Sequence, residues 1–165
     1  MRARFAFSRE TVILLLAFTL PACISLRSAG AESTAAPDSP IGRWKTIDDH
    51  TGQAKAIVDI REENGELDGH VVELFNPPEP HPLCRKCTGA LKGKPVMGMQ
   101  ILWGMRHDGS EWTGGHILDP ENGNIYRCTI SIENGGKVLH VRGYIGFSVF
   151  GRTERWVRPG ESSAK

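Results

Sequence analysis

The chain has no apolar run of the roughly 20 residues that a permanent membrane helix needs, and no stretch with a sustained helical period. An integral helical span and a helical bundle are both excluded. Positive charge is not in excess either: 20 Lys and Arg stand against 19 Asp and Glu. Nucleic-acid binding leans on clustered Lys and Arg, and anionic membranes attract polybasic segments, so neither partner is expected. Enzyme signatures are missing as well. The sequence holds no Ser-centred nucleophile elbow, no phosphate-cradling Gly-rich loop and no His-Glu-x-x-His. Its six histidines, at 50, 70, 81, 107, 116 and 140, never fall at His-x-x-x-His spacing. Oxygen-bearing side chains cluster at Asp119, Glu121 and Asn122, but a Pro-early, Gly-late turn accounts for them without calcium. No catalytic residue and no cofactor are expected.

Cysteine is scarce, at four residues. Cys84 and Cys87 form a Cys-x-x-Cys without the βαβ setting of a thioredoxin-like site and without the following His of a haem attachment site. Three readings remain open, one of them a free or regulatory pair. In an exported protein a local disulfide pinning the loop is the default. A metal site would need His81 and Cys128 to join the pair. Cys128 falls on the apolar face of a strand pattern, where a buried inert thiol is the default and a bond to Cys84 or Cys87 the alternative.

The first 31 residues have the layout of an export signal. Arg2, Arg4 and Arg9 precede a short apolar run at 12–20, and Ala29-Gly30-Ala31 offers a small-x-small cleavage site. The alternative is a lipoprotein box, Leu20-Pro21-Ala22-Cys23, which would anchor the chain at Cys23. Release into the periplasm or medium is the expected outcome. Cleavage removes four Arg and one Glu, leaving 20 − 4 = 16 basic against 19 − 1 = 18 acidic side chains. Residues 32–40 read as a Pro-containing linker, 41–159 as one domain and 160–165 as a polar tail.

Within the domain, short strands alternate with turn signals. Strands are expected at 41–47, 54–61, 67–75, 98–106, 111–118, 124–133, 137–145 and 152–158. Asn64-Gly65 and Asn134-Gly135 supply the positive φ angles of tight hairpins. Residues 76–95 carry five prolines and cannot be helix or central strand. Eight antiparallel strands in meander order point to an all-β, up-and-down barrel, which removes exposed edges. Its first and last strands should pair. Gly42, Trp44, Arg152 and Arg155 are expected to close it, with Trp44 at the floor capped by Arg152 or Arg155. An eight-stranded barrel holds packed side chains or one small ligand. Trp103, Trp112, Tyr126, Tyr144, His116 and His140 are the candidates to line that lumen.

Several of these motifs carry a resemblance. Gly42-Arg-Trp-Lys-Thr-Ile-Asp-Asp, Cys84-x-x-Cys87, the run 114–123 with Tyr126, and Arg142 through Gly151-Arg-Thr with Trp156 are similar to the secreted bacterial domain of unknown function 2147 family. The likeness covers about residues 41–158. It implies a lipocalin-like, calycin-type barrel and an exported protein, and no established activity. A long lipocalin C-terminal helix has no counterpart here. The expected function is binding of a small apolar or amphipathic molecule in the lumen. A structural module with a filled core, docking a protein partner through the Pro/Cys loop, is the alternative, and metal binding through Cys84 and Cys87 a weaker one.

Overall fold

The structure, a computed structural model, describes residues 38–160. The expected export signal at 1–31, Cys23, most of the linker 32–40 and all but the first residue of the tail 160–165 lie outside the described residues. Eight strands follow in order: β1 (Gly42–Ile47), β2 (Ala54–Glu63), β3 (Glu66–Leu74), β4 (Gln100–Asp108), β5 (Glu111–Asp119), β6 (Asn124–Glu133), β7 (Val138–Tyr144) and β8 (Arg152–Val157). Each pairs antiparallel with the next, and β8 returns to β1 to close the barrel. Two three-residue 3₁₀ turns, Gly89–Leu91 and Ser148–Phe150, are the helical elements among the described residues, and no helix there is long and apolar enough to cross a membrane. The hairpins form where expected, with Asn64 at φ 55°, Gly65 at 80°, Asn134 at 55° and Gly135 at 62°.

Closure rests on a short ladder, Lys45 opposite Val157, Thr46 opposite Trp156 and Ile47 opposite Arg155. That register leaves Trp44 next to the residue after Val157. Accordingly the guanidinium over the Trp44 ring is Arg158, 3.8 Å from the centroid. The expected caps do not reach it. Arg152 and Arg155 enter β8 before the ladder ends, so neither can extend to Trp44; Arg152 lies toward the opposite mouth, bound through two nitrogens to the Asp49 carboxylate. Arg158 also donates to the carbonyls of Ser39, Ile41 and Gly136 at 2.9, 3.0 and 3.1 Å, so one side chain ties both chain ends and the β6–β7 turn together. Gly42, at φ 108°, explains itself here: a Cβ on it would stand 2.9 Å from Arg158 Nη1. The Trp44 indole donates to Pro40 O at 2.6 Å.

Above this plate the lower barrel is filled. Trp44, Val58, Ile60, Leu67, Leu102, Met105, Ile130, Leu139 and Trp156 are all at most 1% exposed. Gly69 faces the same core, where an added Cβ would come within 3.1 Å of Leu102 Cβ and 3.2 Å of Val58 Cγ1. Its missing side chain is the space those two residues occupy.

The Pro-rich segment between β3 and β4 is ordered by its own hydrogen bonds and by one bond between sulfurs. Cys84 and Cys87 are joined, with Cα atoms 5.4 Å apart, both buried. The Cys84 N–H donates to Lys94 O at 2.8 Å, and the Val96 N–H to Pro82 O at 2.9 Å. This disulfide replaces the metal reading of the pair, since its thiolates are consumed and Cys128 stays separate, buried in the barrel.

Trp44→Ala is expected to destabilise the barrel by ~3–5 kcal/mol in denaturant titration. In a double-mutant cycle with Arg158→Ala, a coupling of roughly 0.5–2 kcal/mol is expected; additive effects would remove the stacked cation from the account of closure. In the chain from residue 32 onward, iodoacetamide at pH 8 should leave the folded protein unmodified, because burial pushes the Cys128 thiol up to about 12. Unfolding without reductant should expose one thiol; a count of three would rule out the disulfide.

Candidate ligand-binding lumen

The barrel is blocked at the Trp44 end and open at the other. A cavity of about 840 Å³ occupies the upper half, within the usual range for small-molecule sites. Every strand contributes to its wall: Thr46 from β1, Ala56 from β2, Val71 from β3 and Ile101 from β4. Opposite them stand Ile117 from β5, Tyr126 from β6, Val141 from β7 and Glu154 from β8. The wall is mainly apolar, and its floor is the Trp156 ring.

Four connections frame the mouth. The turn after β1 brings Asp48 and His50, and the turn after β5 brings Pro120, Glu121 and Asn122. The Pro-rich loop brings Pro77, Pro78, Pro82 and Leu83, while the β7–β8 loop brings Ile145 and Phe150. The disulfide loop is seated on the β5–β6 turn. Cys84 Sγ lies 3.4 Å from Pro120 O, and a Cβ on Gly123 (φ 78°) would collide with Lys86 O at 2.3 Å. Tyr126 stiffens that turn from inside, its hydroxyl accepting from Asn122 and Asn124 at 3.0 and 3.3 Å. By contrast, Ile145, Phe147, Val149 and Phe150 of the β7–β8 loop stand 70, 79, 79 and 81% exposed. Isolated exposed apolar side chains are ordinary, but four in six residues at a cavity mouth form a patch.

Of the six residues expected in the lumen, Tyr126 and Tyr144 line the cavity. Trp103, Trp112, His116 and His140 do not. Two bulges are the reason. In β4, Leu102 and Met105 pair with Gly69 and Leu67, so three steps on one strand match two on the other. In β5, Trp112 and Gly115 likewise span Ile130 and Cys128. Gly104 and Gly114, at φ 69° and 80°, absorb the extra residues. Strict alternation would put Trp103 on the face of Met105 and His116 on that of Trp112. The bulges instead turn Trp103 and His116 outward, where they stack at 5.8 Å. Trp112 packs against the filled end, edge-on to His107 at 4.7 Å. His140 is outward too, opposite Ser131, with Nε2 3.0 Å from a Glu133 carboxylate oxygen.

The residue the sequence reading passed over is Glu154. On β8 the inward positions are Arg152, Glu154 and Trp156, opposite the inward Gly143, Val141 and Leu139 of β7. Glu154 therefore sits one step above the floor, inside the tube. Its carboxylate accepts the Trp156 indole N–H at 3.2 Å. Burial raises its pKa above the ordinary 4.5, opposed by that hydrogen bond and by the charge of Arg152. Period-two counting back from Trp156 would have found it.

Three of the cations at the mouth face protein carboxylates. Arg152 holds Asp49, Lys55 binds Glu121 at 2.8 Å and Asp48 at 3.7 Å, and Arg85 makes a two-oxygen contact with Glu79 at 2.9 Å. Among the described residues no group of three or more His, Cys, Asp or Glu is placed to hold a metal ion.

Comparison with known proteins agrees with this architecture. No curated protein matches the chain. A solved structure that does match is described as "Protein HP1028 from the human pathogen Helicobacter pylori belongs to the lipocalin family". It superposes with a TM-score of 0.64 at 16% identity, covering 74% of this chain and 84% of that one. At that identity the likeness establishes the fold alone. Residues 42–158, the whole barrel from Gly42 to Arg158, match the profile described as "Uncharacterized protein conserved in bacteria (DUF2147)". The chain belongs to that bacterial family, DUF2147, and carries its domain as a lipocalin-like barrel.

Proposed function

We propose that this protein is an exported, non-catalytic binding protein that holds one small apolar or amphipathic molecule in its upper lumen. The observation that carries the reading is the cavity of about 840 Å³, walled by all eight strands and closed below by Trp156. A barrel that served only as a scaffold would fill this space, because an unfilled apolar void forfeits dispersion contacts along its whole wall. Here the filling stops halfway. Export is supported by the layout of residues 1–31 and by the Cys84–Cys87 disulfide, a bond that persists in oxidising compartments.

A docking role has one observation in its favour, the exposed apolar group at 145, 147, 149 and 150. It lies at the cavity mouth and suits ligand entry equally well. The Pro/Cys loop, expected to dock a partner, is itself held against the β5–β6 turn.

The test is direct. Protein isolated from its own cells should lose a small molecule on denaturation in native mass spectrometry. The emptied protein should bind Nile red with increased fluorescence, and Ala56→Phe, which projects a ring into the cavity, should weaken that binding at least tenfold with the strand circular dichroism retained. A consistently empty lumen together with unchanged Nile red affinity in Ala56→Phe would overturn the reading.

A further inference from the structure

A tube built only for apolar molecules has no use for a carboxylate partway down its wall. Ionised and without a cation, such a group costs stability, and a Gln or Leu would fit the same strand position. Glu154 is that group. It faces the lumen between Arg152 and Trp156, opposite Val141. One hydrogen bond reaches it, from the Trp156 indole to Oε2. No cation is ion-paired with it among the described residues, since the nearest, Arg152, is held by Asp49.

Resting on the lumen-binding reading above, we propose that the cavity selects amphiphiles whose polar head donates hydrogen bonds and carries no negative charge. Long-chain amines and alcohols are the class, with Glu154 as the acceptor for the head.

The surroundings decide the sign. A ligand carboxylate or phosphate entering this tube would need a cation inside it. Arg152, Lys55 and Arg85 each already face a protein carboxylate at the mouth, and none of them is ion-paired to Glu154. Lys86 borders the same cavity from the exposed disulfide loop, on a different element from the strand that carries Glu154. A like-charged head would also meet Glu154 itself, in a setting where apolar walls strengthen the repulsion. An ammonium or hydroxyl head reverses each of these terms. It satisfies the free carboxylate oxygen and leaves the mouth ion pairs intact. The chain of such a ligand would then run along Val141, Ile117 and Val71.

Glu154 is also the group whose ionisation the ligand would meet. The titratable and charged side chains around it are Arg152 on the same strand, Asp49 in the turn after β1, Asp119 at the end of β5 and Cys128 on β6. Burial favours its neutral form, and the two aspartates add to that. An ammonium head therefore binds best where Glu154 is ionised, and its affinity falls as pH drops through the raised pKa toward 4.5.

Displacement of Nile red from the emptied protein tests this, with dodecylamine, dodecanol and dodecanoate compared below their micelle-forming concentrations. Dodecylamine and dodecanol are expected to displace the dye at concentrations at least tenfold below dodecanoate at pH 7.5. In Glu154→Gln the amine's advantage over dodecanoate should shrink at least fivefold, and its pH dependence should flatten. Dodecanoate competing as well as the amine, or full selectivity surviving in Glu154→Gln, would overturn this proposal and leave lumen binding standing. Failure of the wild-type protein to take up Nile red would overturn both. Folding of the variant is read separately. A raised folded-state pKa gives a contribution to stability that is present below the unfolded value and lost as pH rises through the folded one. Ligand-free Glu154→Gln should therefore melt higher than wild type at pH 8, with the gap closing at pH 4.

Discussion

Closure of this barrel depends on the stacking of Arg158 on Trp44. The β1–β8 ladder has three residue pairs, short for a seam that must hold the two ends of a sheet together. The guanidinium lengthens that seam without lengthening the strands. It covers one aromatic face and satisfies three carbonyls, two on the β1 side of the closure and one on the β6–β7 turn. A planar, five-donor group is suited to such a task in a way that an ammonium is not. With the bottom sealed, apolar side chains can pile on the plate up to Trp156, and above it the tube is left open. The asymmetry between a plugged end and a hollow end is thus a consequence of where the sequence put its last arginine.

How legible was this beforehand? The strand count, the meander order and the closing pair could be read from turn chemistry, because Asn-Gly and Gly-rich turns impose backbone signs that few other residues tolerate. The choice of capping arginine could not. Arg152, Arg155 and Arg158 sit at three-residue spacing along and just after β8; period two sets Arg155 on the other face, and the register against β1 separates Arg152 from Arg158. Period-two patterning places side chains on faces but leaves the stagger between strands undetermined.

The misplacement of Trp103 and His116 has a different origin. Gly104 and Gly114 stand in the sequence, and glycine inside a strand marks a bend, a bulge or a close backbone approach. A bend preserves the alternation of faces, whereas a bulge inverts it. With one bulge in each of two adjacent strands, both aromatic partners turn outward together and find each other there. Gly115 belongs to the same adjustment: a Cβ on it would stand 2.4 Å from both Met105 Sδ and Trp103 O, so the strands approach here more closely than any side chain permits. The aromatic character of these residues suggested a ligand, and the backbone assigned them to the outer surface.

Glu154 was hidden by the opposite bias. In a sequence rich in Arg and Glu near its end, one more charged residue reads as a solvated face, and Arg152-Thr-Glu-Arg-Trp156 looks like an exposed edge. Inside a closed barrel that pattern becomes a column rising from floor to mouth, indole, carboxylate, guanidinium, each one step from the next. The guanidinium is drawn off by Asp49, and the indole has a single proton to give. What remains is a carboxylate facing a hollow of its own barrel, whose ionised form burial disfavours. Natural proteins retain such locally unfavourable groups chiefly where binding or chemistry uses them. The charge that weakens the empty barrel is the feature best placed to tell one occupant from another.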